Sequence, residues 1–290
     1  MMEGRFFLLL FLLGFSVFSQ TKGIVVDENN KPIPYVSVWA ENENIGTTSE
    51  ENGQFEIKVS DENKNLIFSS LGFEKRIVKA SEASVVKLKA TSYNLKEVVV
   101  VNKKETKVRE IGNTESGFLQ AFDNGPRMDA KFFPYDPSYK KTRFIKKVTI
   151  QTDSGIENAT LKIHIYATAE DGSPGEDLLG KDFIIPIKKG VINHKIDVSE
   201  FNLTMPVSGI FVSFEKLMIE SNKKENKIVD GNTQKVKLQP TYFPFILYNY
   251  TQRDFLYTFL GGKWLKQTSN NDGSSLGKVF EPAINLILTN

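Results

Sequence analysis

The chain predicts an all-β protein built from two β-sandwich domains. Three observations point there: apolar and polar residues alternate in short runs, turn residues separate these runs at close spacing, and helical periodicity is almost absent. Alternation marks a strand with one buried face, because successive side chains of a strand point to opposite sides of its sheet.

Gly23 to Val26 reads as the first strand, with Asp27 to Pro32 as its turn. Tyr35 to Ala40 alternates next, with Val36, Val38 and Ala40 on one face and Tyr35, Ser37 and Trp39 on the other. Asn52-Gly53 is a strong turn signal, and Gly53 suits a positive φ. It leads into Gln54 to Val59, where Phe55, Ile57 and Val59 point inward. Leu66 to Ser69, Phe73 to Val78 and Val85 to Leu88 bring the total to about seven short strands, enough for one small sandwich over 20–101. Its last run is the β-branched stretch Leu95 to Val101. Residues 102–142 read as a linker with irregular structure or an edge strand, broken at Asn124-Gly125-Pro126 and Phe133-Pro134.

A second sandwich is expected over 143–290. Its strands are Phe144 to Thr152, Ala159 to Ala167, Asp182 to Ile187, Val191 to Val198, Gly209 to Glu215, Tyr242 to Tyr248, Phe255 to Leu260 and Ala283 to Leu288. About eight strands suggest a jelly-roll-like arrangement. Leu161, Ile163 and Ile165 share one face of their strand; Lys162, His164 and Tyr166 share the other, which reads as solvated. Ser221 to Lys235 holds too few apolar residues to bury and reads as an exposed loop.

Composition narrows the function. A length of 290 residues fits one to two domains. With 37 Lys+Arg against 35 Asp+Glu the net charge is +2, which is no footprint for nucleic acid. The absence of cysteine excludes disulfides, thiolate nucleophiles and cysteine-ligated metal sites, and two histidines exclude a His-rich centre. At the N-terminus, Arg5 precedes the apolar run Phe6 to Phe18, and Val17-Phe18-Ser19 supplies a tolerable cleavage pattern. Residues 1–19 therefore read as a signal peptide, since the run is shorter than the roughly 20 residues of a membrane span. The expected product is exported, to the periplasm, the outer membrane or the cell surface, with no transmembrane span after cleavage.

The string GIVVDENNKPIPYVSVWAENENIGTTSEENGQFEIKV, followed by LIFSSLGFEKRIV, resembles the carboxypeptidase regulatory-like domain of Bacteroidota secreted and outer-membrane proteins. Gly23, Asp27, Pro32, Pro34, Gly46, Thr47, Gly53, Phe55 and Gly72 stand at its characteristic positions. The resemblance covers 21–101 and implies a seven-stranded transthyretin-like, immunoglobulin-like sandwich. It also implies an accessory module, which in that family is often fused to TonB-dependent receptors. The string NLKEVVVV looks like the join that precedes their plug, but no plug-like glycine-rich motif follows, and the rest is too short for a large barrel. ATLKIHIYATAEDGSPGEDLL and MPVSGIFVSFEKL more loosely resemble the β-sandwich half of other flavobacterial proteins.

Chemistry-bearing patterns are sparse. His164 and His194 have no His or Glu partner at metal-ligand spacing, and no nucleophile elbow, phosphate loop or dinucleotide fingerprint is present. A hydrolase with a dispersed site would have to draw on Asp171, Glu176 or Asp254. The loop Glu170 to Asp177 holds four carboxylates, which makes a structural Ca²⁺ conceivable, yet Asp171-Gly172 and Pro174-Gly175 are ordinary turn pairs and a turn is favoured. No cofactor is expected. The densest unusual stretch runs from Tyr242 to Trp264, and its aromatics either fill the core or, where they face out, stack on a ligand. Tyr248, Tyr250, Arg253 and Trp264 are the candidate ligand-binding residues. These readings together predict a non-enzymatic cell-envelope protein that binds a glycan, peptide or envelope partner through its C-terminal sandwich. The alternative is a structural or assembly accessory of an outer-membrane complex that docks by strand addition.

Overall fold

A computed structural model describes residues 19–91, 106–112, 119–121, 125–229, 235–253, 255–268 and 278–290. Residues 1–18 of the expected signal peptide, 1–19, and the run Leu95 to Val101 lie outside the described residues.

The fold is all-β. The first sandwich has seven strands: β1 (Ser19–Val26), β2 (Ser37–Ala40), β3 (Gly46–Thr48), β4 (Gln54–Val59), β5 (Asn65–Ser69), β6 (Arg76–Lys79) and β7 (Val85–Lys87). They form a three-stranded sheet in the order β4-β1-β7 and a four-stranded sheet in the order β3-β2-β5-β6. Val36, Val38 and Ala40 meet Phe55, Ile57, Val59, Leu66 and Phe68 in a shared core, as their alternation requires. Gly53 sits at φ +78°, the left-handed conformation that the Asn-Gly turn demands. The expected strand from Phe73 is shorter in the structure, beginning at Arg76 after a bend at Gly72.

The second sandwich is larger than its expected eight strands. It comprises β8 (Val108–Gly112), β9 (Leu119–Ala121), β10 (Met128–Phe133), β11 (Phe144–Ser154), β12 (Ala159–Thr168), β13 (Pro174–Asp177), β14 (Phe183–Ile187), β15 (Gly190–Asp197), β16 (Ile210–Lys216), β17 (Lys223–Val229), β18 (Val236–Tyr242), β19 (Phe245–Gln252), β20 (Phe255–Leu260), β21 (Lys263–Thr268), β22 (Lys278–Pro282) and β23 (Ile284–Thr289). One seven-stranded sheet runs β13-β12-β16-β10-β20-β21 with β14 beside β12; the other runs β22-β19-β11-β23-β8 with β15 beside β11 and β9 beside β19. Leu161, Ile163, Ile165, Val212 and Phe214 of the first sheet pack on Val148, Ile150, Ile284, Leu286 and Leu288 of the second.

Two expectations change here. The segment 102–142 is not only linker: β8 pairs with β23, and β10 is an interior strand between β16 and β20. Asp129 and Lys131 disguised β10, because a buried strand normally reads as continuous apolar residues. Of Ser221 to Lys235, Lys224 to Val229 are exposed as expected and Asn222 is buried, yet Lys223–Val229 pairs along its whole length with Val236–Tyr242 as an antiparallel hairpin.

The two domains touch along the outer face of the sheet containing β12, β16 and β20. Both faces of β2 are buried, one in its own core and the other, Ser37 and Trp39, against this sheet; Trp39 is only 2% exposed. Its ring stands edge-on to Phe259 at 5.6 Å. The Gly261-Gly262 turn of the β20–β21 hairpin, with φ +57° and +83°, lies against Asn42 and Ile67. Asn42 N donates to the Gly261 carbonyl at 3.3 Å, Lys263 Nζ donates to Asn42 Oδ1 at 2.8 Å, and Lys75 Nζ donates to the Gly262 carbonyl at 3.0 Å. A Cβ on Gly261 would stand 2.9 Å from the Asn42 backbone. Gly261→Ala is therefore expected to cost about 1–3 kcal/mol from backbone strain and close contact. Limited proteolysis should show the two sandwiches separating while each keeps its own core.

Candidate functional site: the seam between the two sandwiches

The outer face of β12 carries Lys162, His164 and Tyr166, and the matching face of β16 carries Phe211, Ser213 and Glu215. This face is not solvated, because the first sandwich covers it. Lys162 is 2% exposed. Its ammonium donates to the Tyr35 carbonyl at 2.7 Å and lies 3.3 Å from Asp182 Oδ1 and 3.9 Å from Glu215 Oε2. Tyr35 presents that carbonyl from a left-handed backbone conformation, φ +55°, unusual for an aromatic residue. Ser37 Oγ donates to the other oxygen of Glu215, so one carboxylate ties the domains together.

His164 has partners that its local sequence hides. Nδ1 lies 2.7 Å from Asp177 Oδ2 and Nε2 lies 3.1 Å from Glu215 Oε2, and the ring stacks on Tyr166 at 5.5 Å. Both neighbours are acceptors, so both ring nitrogens donate and the ring is an imidazolium. Burial opposes its charge, but the hydrogen bonds it donates to Asp177 and Glu215 prevail and raise its pKa from 6.5 to about 9. Burial likewise opposes the charge on Glu215; Lys162 and His164 prevail and lower its pKa from 4.5 to about 2. Asp182, less well compensated, is held above the usual carboxylate range by burial against the pull of Lys162. Among the described residues no group of three or more His, Asp or Glu side chains has the geometry to hold a metal.

Beside this ion cluster the seam opens into a cleft of about 950 Å³. The first sandwich lines it with Ile45 to Thr48 from the start of β3 and Gln54 to Lys58 from β4; the second lines it with Met218, Glu220, Lys223, Pro240 and Tyr242. Its floor is tied across the domains, since Met218 N donates to Thr48 Oγ1 at 3.0 Å and Glu220 N to Glu50 Oε1 at 2.9 Å. Burial raises the pKa of the Tyr242 phenol, so it faces the cleft as a neutral donor.

The residues singled out from sequence lie elsewhere and do not form one site. Tyr248, expected to face out, is 5% exposed and donates to Asp129 Oδ2 at 2.8 Å between the two sheets. Arg253 pairs with Glu281 at 2.8 Å, and Glu281 reaches the fully buried Lys131 at 3.0 Å. Trp264 is half-buried, edge-on to Tyr166 and Phe259 at 5.4 and 5.1 Å. Tyr250 is 48% exposed and lies 4.8 Å from the Phe280 ring. In the acidic loop, Asp171 accepts from Ser173 N at 2.9 Å and Asp177 turns to His164, which is a turn rather than a cation cage. Asp254 lies outside the described residues. Sequence reasoning missed Glu215 and Asp177 as partners of His164; the buried polar face of an otherwise sandwich-like strand was the available signal.

The ion cluster sets the pH dependence of the fold. His164 stabilises fully below pH 6.5 and its contribution is lost as pH rises through about 9; Glu215 stabilises fully above pH 4.5 and its contribution is lost as pH falls through about 2. The melting temperature should be highest between these limits, and His164→Gln should flatten the alkaline decline in a thermal scan across pH. Glu215→Gln, which leaves buried cations under-compensated, should cost about 3–5 kcal/mol in chemical denaturation.

Among the described residues no helix is long and apolar enough to cross a membrane. No curated protein matches the sequence. Among solved structures, a structure of infectious bursal disease virus, Gx strain, matches at 10% identity over 93% of this chain and 64% of that one, with a TM-score of 0.25. A variant of BcpA, the major pilin subunit of Bacillus cereus, matches at 11% identity over 94% and 88%, with a TM-score of 0.19. The chain thus spans a little under two thirds of the viral chain, and TM-scores this low establish no shared topology. Residues 21–100 match the model of the CarboxypepD_reg-like domain, a regulatory and non-catalytic β-sandwich module, and the first sandwich is such a domain.

Proposed function

We propose that this chain is a non-enzymatic, exported cell-envelope protein that holds an extended glycan, peptide or envelope partner in the cleft between its two sandwiches. The observation that carries the reading is the cleft itself: about 950 Å³, at a domain boundary, lined from both sides. Ligand sites favour such boundaries, and this volume falls in the range of known sites. The lining is polar, with Lys22, Glu50, Gln54, Glu56, Lys58, Glu220 and Lys223 around the edges of Ile45, Phe55, Met218 and Tyr242. That mixture suits a polar chain better than a compact apolar molecule. Export rests on the charged and apolar pattern of residues 1–19. A non-catalytic role accords with the regulatory nature of the first domain. It also accords with the ion cluster, whose charged groups are consumed by one another rather than aimed into the cleft.

The pair of the exposed Tyr250 and the half-buried Phe280 is the competing seat, since aromatics stack on sugar rings. It offers a surface rather than a concavity. A role as an assembly accessory of an outer-membrane complex is favoured by one feature, the projecting β17–β18 hairpin, which exposes Ile228, Val229, Val236 and Leu238.

Calorimetric titration of the chain with soluble polysaccharides, peptidoglycan fragments and peptides separates the two seats. Tyr242→Ala is expected to weaken binding about tenfold, the scale of one lost aromatic or hydrogen-bonding contact, while Tyr250→Ala leaves it unchanged. The reverse pattern would move the site to the Tyr250–Phe280 pair.

A further inference from the structure

Among the described residues strand β4 has a neighbour on one side only: it pairs with β1, while its other edge meets no described strand. The orientation of its free groups follows from two hydrogen bonds. Val25 N donates to the Gly53 carbonyl at 2.9 Å, and Ile24 N donates away from β4, to the Ser84 carbonyl at 3.1 Å. In an antiparallel pair, residues that exchange hydrogen bonds alternate with residues whose main-chain groups point outward. The register therefore turns the N–H and C=O groups of Phe55 and Ile57 toward β1, and those of Glu56 and Lys58 toward the open edge.

That open edge is what the cleft exposes. Side chains of successive strand residues point to opposite faces, so the inward-facing Phe55 and Ile57 meet the cleft through their main chain. Gln54 to Lys58 of β4 line it, with Lys22 to Ile24 of β1 on one side and Ile45 to Thr48 along β3 of the other sheet on the other, so the cleft wraps around the edge of β4; the outer edge of β3 is also unpaired among the described residues. The facing wall is the side of the β17–β18 hairpin that carries Lys223, Pro240 and Tyr242. By register the same side continues outward along β18 through Leu238 and Val236, with Val229 opposite Val236, at 52%, 61% and 54% exposure, and is flanked on β17 by the exposed Glu225 and Lys227. The apolar strip thus prolongs the cleft. The lysines of the lining, Lys22, Lys58 and Lys223, balance its glutamates, Glu50, Glu56 and Glu220, with Lys22 paired to Glu56 at 3.1 Å and Lys223 to Glu220 at 3.0 Å, so its net charge selects neither sign.

We propose that the cleft receives an extended segment of another polypeptide, uncharged and apolar on one side, which adds to β4 as a new strand and lays its apolar side on the hairpin strip. Main-chain hydrogen bonds to Glu56 and Lys58 would hold the segment, and Leu238, Val236 and Val229 would select its alternate side chains. The inference rests on the cleft being the binding seat and narrows its ligand from a glycan or peptide to a strand-forming peptide.

The test uses the full chain and an acetylated heptapeptide of alternating valine and threonine, its analogue N-methylated at alternate amides, and a set of soluble oligosaccharides. The heptapeptide should bind, slow amide exchange at Glu56 and Lys58 at least tenfold, and lose at least tenfold in affinity on N-methylation. Glu56→Pro removes an outward N–H without touching the β1 ladder, so it should abolish binding while Glu56→Ala preserves it. The N-methylated peptide carries the same test on the unaltered protein should the proline variant fold poorly. Strand addition is overturned, with the cleft reading intact, if oligosaccharides bind and are lost in Tyr242→Ala but not in Glu56→Pro. It is overturned together with that reading if none of the probes binds. Concentration-dependent dimerisation that Glu56→Pro abolishes would overturn it in favour of a second copy of the chain.

Discussion

The geometry of the molecule hangs on one buried carboxylate. Glu215 is buried, so its charge is tolerable only while Lys162, His164 and Ser37 surround it. Two of these partners belong to the second sandwich and one to the first. Lys162 in turn spends a hydrogen bond on the Tyr35 carbonyl of the first sandwich. Separating the domains would take the Ser37 hydroxyl from Glu215 and the Tyr35 carbonyl from Lys162, although the ion pairs of Glu215, Lys162, His164, Asp177 and Asp182 lie within the second sandwich. Docking is therefore specified by hydrogen bonds to this cluster as well as by burial, and a displaced pose would lose both of them.

Around this centre the seam is completed by apolar contact. Trp39 closes on Phe259, which leans on Trp264, which meets Tyr166, whose ring stacks on His164. The aromatic row and the ion cluster thus share a residue. Burial of the rings lowers the local dielectric and strengthens the ion pairs; the ion pairs fix the lateral position at which the rings interdigitate. The Gly261-Gly262 turn adds a third anchor, where absent side chains let two backbones approach. Three anchors of different chemistry define one relative placement, and the cleft beside them inherits its width from that placement.

Much of this architecture was legible in the sequence, for reasons that individual residues make plain. The alternation at Tyr35 to Ala40 assigned both faces of β2 correctly, and Gly53 fixed its turn. Every strand expected in the second sandwich has its counterpart there. The failures share a cause. His164 was read as solvated because a polar face normally meets water, and nothing local in KIHIYA announces Asp177 or the distant Glu215. β10 escaped notice because Asp129 and Lys131 look like surface residues until Tyr248 and Glu281 are brought against them by β19 and β22. Buried charge is a tertiary property, invisible to periodicity. The cleft was invisible too, since it belongs to neither domain alone.

The unpaired edges of β3 and β4 gain meaning from the same geometry. An exposed edge is a liability that proteins commonly blunt with proline, bulges, charges or a covering element. β4 carries Glu56 and Lys58 on its outer face, and the hairpin of the second sandwich stands over its edge at the width of the cleft. The edge is thus shielded from broad, flat surfaces such as a second sheet, yet remains accessible to something narrow. A hairpin placed only for protection would need no apolar strip, and Val229, Val236 and Leu238 would be unfavourable choices on an arm otherwise rich in lysine and glutamine. A two-stranded ribbon of this kind is marginal by itself, so keeping such residues in water weakens solubility without strengthening the fold. Their position beside the free edge accounts for both oddities together: the docking of the domains builds a cleft that is polar along the edge that would hydrogen-bond and apolar along the wall that would cover it.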